Sequence, residues 1–502
     1  MRSILNTPIE NLLSDSWNRI DRAYRKGFFA AVCVGILAYG FEMTNLTLHH
    51  DDVVQIFFQD AHLSWELGRF GLGWLHYYTQ DAYIMPFVQM AEGIVLMGAY
   101  GVVVSHFWGV RKPMDIGLIS AILTVFPFMA QIFQYNTAMA TYPAAHLLVA
   151  LAVVLSVRAR LLHGAVAAAL YVCAFSIYQA VLANAATIFI FWLLGKLVIH
   201  ADDDAFLSKS TIRSTIAVAL SVVVGGILYL VCVSFMNIPI ESYQAADKAF
   251  SFSGEPNLSY AMAEILKGTR SFYFWPENYF PNYLKKLQLI FIVGAAIFCL
   301  WFPKGFWPKA GAVSMLVLAG FSPRLLQLLH PAGHYHNLTL TAYALVIAGT
   351  VMIINRAGTI LLRNATAVLA FVLIGGYVLQ CNWISTVNYL NTVAHFATVT
   401  QILARARSLP DTQWDGKTIA VVGRYEMPSD YPFKGATGVA TKFLDAHHMD
   451  KIGRLMRDEV KFIPADETRP KVLEYAATHS PWPQPGSVGI VDGIGVVVLS
   501  KN

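Results

Sequence analysis

Apolar runs of about 20 residues recur through the first three quarters of this 502-residue chain, and that repetition narrows its fold more than any other feature. A helix rising 1.5 Å per residue needs roughly 20 residues to cross about 30 Å of hydrocarbon. Eleven such runs are legible, near residues 27–45, 84–108, 116–133, 143–157, 162–179, 181–199, 214–236, 287–303, 310–322, 338–355 and 365–382. Hydrophobic residues make up 56% of the chain and charged residues 13%, with a mean hydropathy of +0.51. That balance is too apolar for a soluble globule. The expected fold is a polytopic α-helical membrane protein of about eleven transmembrane helices.

Orientation follows from the distribution of the net +5 charge. Arg19, Arg22, Arg25 and Lys26 precede the first run, Arg111 and Lys112 follow the second, Arg158 and Arg160 the fourth, and Arg356 and Arg363 the tenth. By the positive-inside rule these alternate loops are cytoplasmic. The loop from Gln134 to Pro143 has no Lys or Arg and belongs to the other side. An odd number of spans then places the N-terminus inside and the C-terminus outside. Residues 1–26 read as a cytoplasmic interfacial helix, with Leu13, Trp17, Ile20 and Tyr24 on one face. No cleavage site follows the first run, so it is expected to be retained. The positive charge is spread among loops, and no nucleic-acid partner is expected.

Outer loops at 46–83 and 237–286, with a C-terminal segment at 383–502, put the working surface on the periplasmic or extracellular side, where nucleotide sugars are not available. The transmembrane domain is expected over 27–382. Within the C-terminal segment, "GKTIAVVG" predicts a strand closed by a glycine turn, Gly435 to Leu455 a helix, and "GSVGIVDGIGVVVLSKN" a turn and a final strand. A small α/β domain that caps the site or binds an acceptor accounts for this. The five cysteines lie in or at the ends of the apolar runs, so no disulfide framework is expected.

The first run closes in "NLTLHHDD", Asn45 to Asp52. A single Asp there could be a hydrated interfacial residue. His49, His50, Asp51, Asp52, Asp60, His62, Glu66 and Arg69 together form a dense ionisable group, costly near hydrocarbon unless its members face a cavity or one another. A carboxylate at the membrane surface can take a proton from an alcohol while a lipid phosphate departs. An arginine can bind that phosphate through two parallel hydrogen bonds. Arg69 is the nearest candidate, and it is equally readable as an interfacial Arg that snorkels.

"HDD" at the outer end of the first run, "GRFGL" at Gly68 to Leu72 and "SIYQA" at Ser176 to Ala180 resemble the Gtr family of bacterial glucosyltransferases, the type II group that modifies O-antigen and converts serotype. Phe70 stands where that family usually has Trp. The resemblance implies a GT-C-like enzyme taking glucose from undecaprenyl phosphate-glucose, a donor made and flipped by partner proteins. The acceptor would be O-antigen or a lipid-linked polysaccharide outside the bacterial inner membrane. It also implies an inverting reaction with an outer-loop Asp as base. Asp52 is the favoured base, with Asp51 orienting it, binding a sugar hydroxyl or sharing a cation. Mg or Mn would suit such a carboxylate pair.

Other candidates are Arg270 and Arg324 for the donor phosphate, and His49, His50, Glu66, Tyr178, Gln179, His334 and His336 for substrate. Glu42 is read as either a buried partner of Arg69 or part of the site. "RSFYFWPENYFPNYLKK", Arg270 to Lys286, reads as a sugar-stacking and phosphate-binding segment or as an interfacial aromatic belt. The competing readings are a polyprenyl-phosphate-sugar flippase, a transferase acting on lipid A or protein, and a non-catalytic scaffold.

Overall fold

The computed structural model describes residues 17–49, 52–53, 65, 67–80, 85–199, 208–236, 258–275, 279–329, 335–409, 414–426, 443–465 and 469–501. The membrane portion is a bundle of helices: α1 (Arg22–Thr44), α2 (Phe70–Gln80), α3 (Pro86–Phe107), α4 (Pro113–Val125), α5 (Pro127–Phe133), α6 (Thr141–Ser156), α7 (Leu161–Ile177), α8 (Leu182–Ile199), α9 (Lys209–Phe235), α10 (Leu258–Phe274), α11 (Asn282–Trp301), α12 (Phe306–Phe321), α13 (Ala342–Ala357) and α14 (Ile360–Arg407). Among the described residues, seven helical segments are long and apolar enough to cross a membrane, and the bent pair α4–α5 makes an eighth. The chain is therefore a membrane protein. The other three expected spans coincide with α6, α7 and α12, of 16, 17 and 16 residues. Of the N-terminal segment, residues 1–16 lie outside the described residues. Trp17–Arg19 form one helical turn before Asp21 caps α1 by accepting from the Ala23 amide at 2.7 Å.

Local sequence explains the main breaks. Pro127 disfavours helical dihedrals in the residue before it, and Phe126 is extended at φ −58° and ψ 130°, so the run read at 116–133 becomes two helices bent by 52°. Close packing uses small residues, which carry helix association where lipid removes the hydrophobic drive. Gly27, Ala31, Gly35 and Ala38 lie buried along one face of α1, where a Cβ on Gly35 would come within 2.6 Å of Ile94 in α3. Helices α8 and α13 are largely enclosed by the rest of the bundle. They meet around Phe191, Ile347 and Val351, all fully buried.

The expected boundary between 382 and 383 falls inside α14, an unbroken helix of 48 residues. At 1.5 Å per residue it is about 72 Å long, more than twice a bilayer's hydrocarbon. Its first half packs Tyr377 and Cys381 into the bundle core, while Val399, Ile402, Leu403 and Ala406 enter the core of the C-terminal domain. That domain holds β1 (Thr418–Val422), β2 (Tyr425–Glu426), β3 (Phe443–Leu444), α15 (Ala446–Leu455), β4 (Lys461–Pro464), α16 (Pro470–Thr478), β5 (Val488–Val491) and β6 (Ile494–Val498). The sheet order is β4-β1-β6-β5, with β1 parallel to both neighbours and β5–β6 antiparallel. The final stretch, read as a turn and one strand, is a two-stranded hairpin. Asp492 and Gly493 both take positive φ, 51° and 82°, as the tight turn requires. All five cysteines are free.

Candidate active site

The polar end of the bundle is built on the short loop between α5 and α6. Its Asn136 is 1% exposed and holds the segment after α1 in two places: its side-chain amide donates to Thr47 O at 3.0 Å and to Asp52 Oδ2 at 2.8 Å. The Asn136 main-chain amide adds a bond to Asp52 Oδ1 at 3.0 Å. His49 N donates to Asp52 Oδ2 at 3.0 Å, and Val53 N returns to His49 O at 3.0 Å. These bonds fold Asp52 back on its own turn, as a carboxylate in a capping box does. Asp52 is fully buried, and its carboxylate accepts at least these three hydrogen bonds. Such donors stabilise the anion in place. The His49 ring lies on Tyr135 of the same loop at 3.6 Å. His50, Asp51 and Glu66 lie outside the described residues.

On the other flank of this loop sits Arg69, half-buried. Nη1 donates to Tyr142 Oη at 2.9 Å and Nε to Gln179 Oε1 at 3.3 Å. The guanidinium also lies 5.5 Å from the ring of Tyr178, which stacks on Tyr142 at 3.9 Å. Gln179 Nε2 donates to Leu67 O and to Tyr229 Oη, both at 2.9 Å, and Tyr229 Oη donates to Gly68 O at 3.0 Å. "GRFGL" and "SIYQA", 110 residues apart at Arg69 and Gln179, thus interlock. The glycines permit the fit: Gly68 has φ +71°, and a Cβ on Gly71 would strike the hydroxyl of Ser176.

Of the two readings of Glu42, the pairing with Arg69 is not seen, while Thr47 links it to the Asn136–Asp52 turn. Its carboxylate accepts from Thr47 Oγ1 at 2.9 Å, Ser385 Oγ at 2.8 Å and Asn388 Nδ2 at 3.5 Å, tying α1 to α14, and it is 1% exposed. Its partners are hydroxyls and an amide, not Arg69. Arg324 donates to Tyr343 Oη at 3.1 Å. His146 of α6 bonds Tyr142 O at 2.7 Å and Thr341 Oγ1 at 2.9 Å, which ties α6 to the start of α13 two residues before Tyr343. Arg270 is exposed at the end of α10. His336 is half-buried, and His334 lies outside the described residues. The aromatic segment is divided: Phe272, Tyr279 and Phe280 are buried while Phe274, Trp275 and Tyr283 are exposed, and Lys285 sits 4.1 Å and 4.7 Å from the rings of Phe272 and Phe280 with its ammonium on Phe272 O.

Sequence reasoning passed over Asn136, Tyr142, Tyr229 and His146. The loop at 134–143 stood out only for its missing charge. Its run of Gln134, Tyr135, Asn136 and Thr137 between two apolar helices was the available signal. Leu48 and Val53 belong to the core cluster of the C-terminal domain, and Leu48 N donates to Thr392 Oγ1 of α14 at 3.2 Å. The long helix and its domain therefore clamp the Asp52 turn from behind. Among the described residues, no group of three or more His, Cys, Asp and Glu is placed to hold a metal ion.

The arrangement gives one carboxylate and one guanidinium, each fixed by neutral donors and acceptors, around a loop shared by three separated segments. Comparison with curated proteins and with solved structures gives no match. A family model described as glucosyl transferase GtrII matches residues 40–404, which takes in all three segments and the loop and ends before the C-terminal sheet. The chain belongs to the GtrII glucosyl transferase family and is a glucosyltransferase of the membrane.

Proposed function

We propose that the chain transfers a glucosyl residue from undecaprenyl phosphate-glucose to O-antigen or a lipid-linked polysaccharide at the periplasmic face of the bacterial inner membrane. In this reading eleven spans leave the N-terminus in the cytoplasm, with the C-terminal domain and the Asp51–Asp52 turn outside. The observation that carries it is the convergence of "HDD", "GRFGL" and "SIYQA" on the Gln134–Pro143 loop through Asn136, Tyr142 and Gln179.

The acceptor hydroxyl oxygen bonds to the anomeric carbon as the bond from that carbon to the phosphate oxygen breaks. The lipid phosphate leaves with the electron pair, and a carboxylate of the pair takes the hydroxyl proton. Attack opposite the leaving phosphate inverts the centre. Asp52 accepts three protein hydrogen bonds, which commit its carboxylate to holding the turn together. This shifts the preferred base from Asp52 to its neighbour Asp51, with Asp52 anchoring the turn. Arg69 is offered to the phosphate, with Arg324, held by Tyr343, as a second phosphate contact. Tyr178, Gln179, His49, His50, Glu66, His334 and His336 remain substrate-binding candidates, and Arg270 a phosphate contact. A Mg or Mn ion would be held by the Asp51–Asp52 carboxylate pair.

The test supplies membranes holding the chain with labelled undecaprenyl phosphate-glucose and lipid-linked O-antigen, beside Asp51→Asn and Asp52→Asn. Loss of a general base is expected to lower turnover by about 10²–10⁴-fold. Asp51→Asn should show that loss at unchanged fold, whereas Asp52→Asn should lose thermal stability as well. Equal transfer by both variants and the parent refutes the assignment. A chelator that abolishes transfer, with Mg²⁺ restoring it, adds the metal. Movement of labelled lipid across the bilayer without a new glycosidic bond replaces this reading with the flippase.

A further inference from the structure

A cavity of about 640 Å³ opens at the other end of the bundle, where α1 begins and α3 ends. Tyr24 of α1 donates to Val110 O at its wall, 2.8 Å away. The 23 residues of α1 place this end about 34 Å from the Asp52 turn. Arg111, Lys112, Lys196, Arg356 and Arg363 line it against one carboxylate, Asp115. Asp115 is already committed: it accepts from Asn355 Nδ2 at 3.1 Å and pairs with Arg363 at 3.6 Å. The cations therefore outnumber any anion that the lining supplies.

Three features distinguish this lining from a loose band of interfacial lysines. Arg356 is seated, donating from Nη1 to Trp108 O at 2.6 Å beneath the turn at Gly109, whose φ is +71°. Lys196 is seated too, 4.1 Å over the Trp192 ring and 3.0 Å from Thr211 Oγ1. Asn355 is 3% exposed, its amide is spent on Asp115, and its Oδ1 has no protein partner. Buried polar atoms left this way point to a ligand or water that completes them. An anion meets the cations, and a hydroxyl donor meets Asn355 Oδ1. Ile360 and Leu361, 76% and 81% exposed at the start of α14, put the mouth beside a lipid-facing surface.

We propose that this cavity binds the headgroup of an anionic phospholipid whose phosphodiester carries a free hydroxyl, in the leaflet opposite the Asp52 turn. Basic pockets between membrane helices hold such headgroups. The site is independent of the glucosyl-transfer reading.

The test uses the full chain in detergent, with native mass spectrometry and thermal unfolding as readouts. Probes are phosphatidylglycerol, phosphatidylcholine and sn-glycerol 1-phosphate, the last being the same headgroup without acyl chains, with phosphatidic acid as the anionic lipid that lacks the glycerol hydroxyls. Phosphatidylglycerol is expected to stay bound and to raise the unfolding temperature, with phosphatidylcholine at least tenfold weaker. Arg111→Gln/Lys112→Gln, at the mouth, should lose that preference by about tenfold while its unfolding temperature without added lipid stays at the parent's. Asn355→Ala should still prefer anionic lipid but no longer distinguish phosphatidylglycerol from phosphatidic acid. Equal retention of both lipids by the parent overturns the proposal, as does a parent-like preference in Arg111→Gln/Lys112→Gln. Saturation by sn-glycerol 1-phosphate at the same concentration as the lipid replaces the bilayer source with a soluble one.

Discussion

At the end of α1 near Thr44, Asp52 and Arg69 are each held by neutral partners, Asn136 and His49 N for one, Tyr142 and Gln179 for the other. At the end near Arg22, five cations and one carboxylate surround an open cavity. The first end spends its polar groups on fixing two charges in a set geometry; the second leaves charge facing space. A group that must meet a reacting atom has to be positioned to a fraction of an ångström, while retention of a headgroup tolerates movement. Damage should therefore be selective. Changes at the Thr44 end should cost turnover and stability together, and changes at the Arg22 end should cost neither heavily.

The largest effect is expected from Asn136→Leu. Asp52 is fully buried and would lose its side-chain donor at Oδ2 together with the link to Thr47, while the main-chain amide of residue 136 stays. A buried charge left short of partners costs roughly 3 kcal/mol or more, so a clear fall in unfolding temperature and loss of transfer should appear together. The double variant Asp52→Leu/Asn136→Leu separates the two roles: stability should return in large part, because no charge is stranded, while transfer stays absent. If Asn136→Leu unfolds like the parent, the contrast between the ends fails.

Arg69→Lys comes next. A lysine ammonium cannot reach Tyr142 and Gln179 in the plane that the guanidinium offers, nor match a phosphate bidentately. A fall of about 10–100-fold in kcat/KM is expected, equal to about 1.4–2.8 kcal/mol. Lys112→Arg at the opposite end should change it less than about twofold, since charge there suffices. Equal effects would erase the distinction.

How much of this was legible in the sequence depends on range. Each apolar run landed on a helix, because a segment of such length in lipid must bond its backbone to itself. "HDD", "GRFGL" and "SIYQA" were visible as separate motifs, but their meeting was not, because Arg69 and Gln179 are brought together only by tertiary packing. Asn136 was passed over for the same reason: a polar run in a neutral loop marks a place but names no partner until a buried carboxylate is set against it. The 382/383 boundary was misread because hydropathy falls there while helical hydrogen bonding does not. The donors that hold Asp52 were hidden as well, since no spacing rule reveals them.

A smaller loss should follow Gly68→Ala. A side chain at φ +71° and a Cβ within 2.5 Å of Tyr229 Oη together should cost about 1–3 kcal/mol, seen as a lower unfolding temperature and weaker transfer. Gly226→Ala, one turn away on α9 with nothing within 4 Å of its Cβ, supplies the control and should not destabilise. A parent-like Gly68→Ala would show that the interlock of the two motifs is loose.

The smallest effect reaches the Thr44 end indirectly, through the domain that backs it. Asp445 caps α15, accepting from the His448 amide at 2.9 Å and from its ring at 2.7 Å. Partial burial alone would raise its pKa, but the bonds from His448 outweigh that and hold it down at about 2, against an ordinary 3.8. A carboxylate with a depressed pKa stabilises the fold fully above its unfolded value and loses that contribution as pH falls through the folded one. The domain should therefore weaken between about pH 4 and pH 2. Asp445→Ala should remove the acid dependence and cost about 1 kcal/mol at neutral pH, the usual price of a helix cap. Because Leu48 and Val53 lie in this domain's core, local hydrogen exchange around the Asp52 turn should rise in Asp445→Ala, with the cationic cavity unchanged. Exchange that rises at both ends equally, or at neither, would show that the domain does not brace the turn.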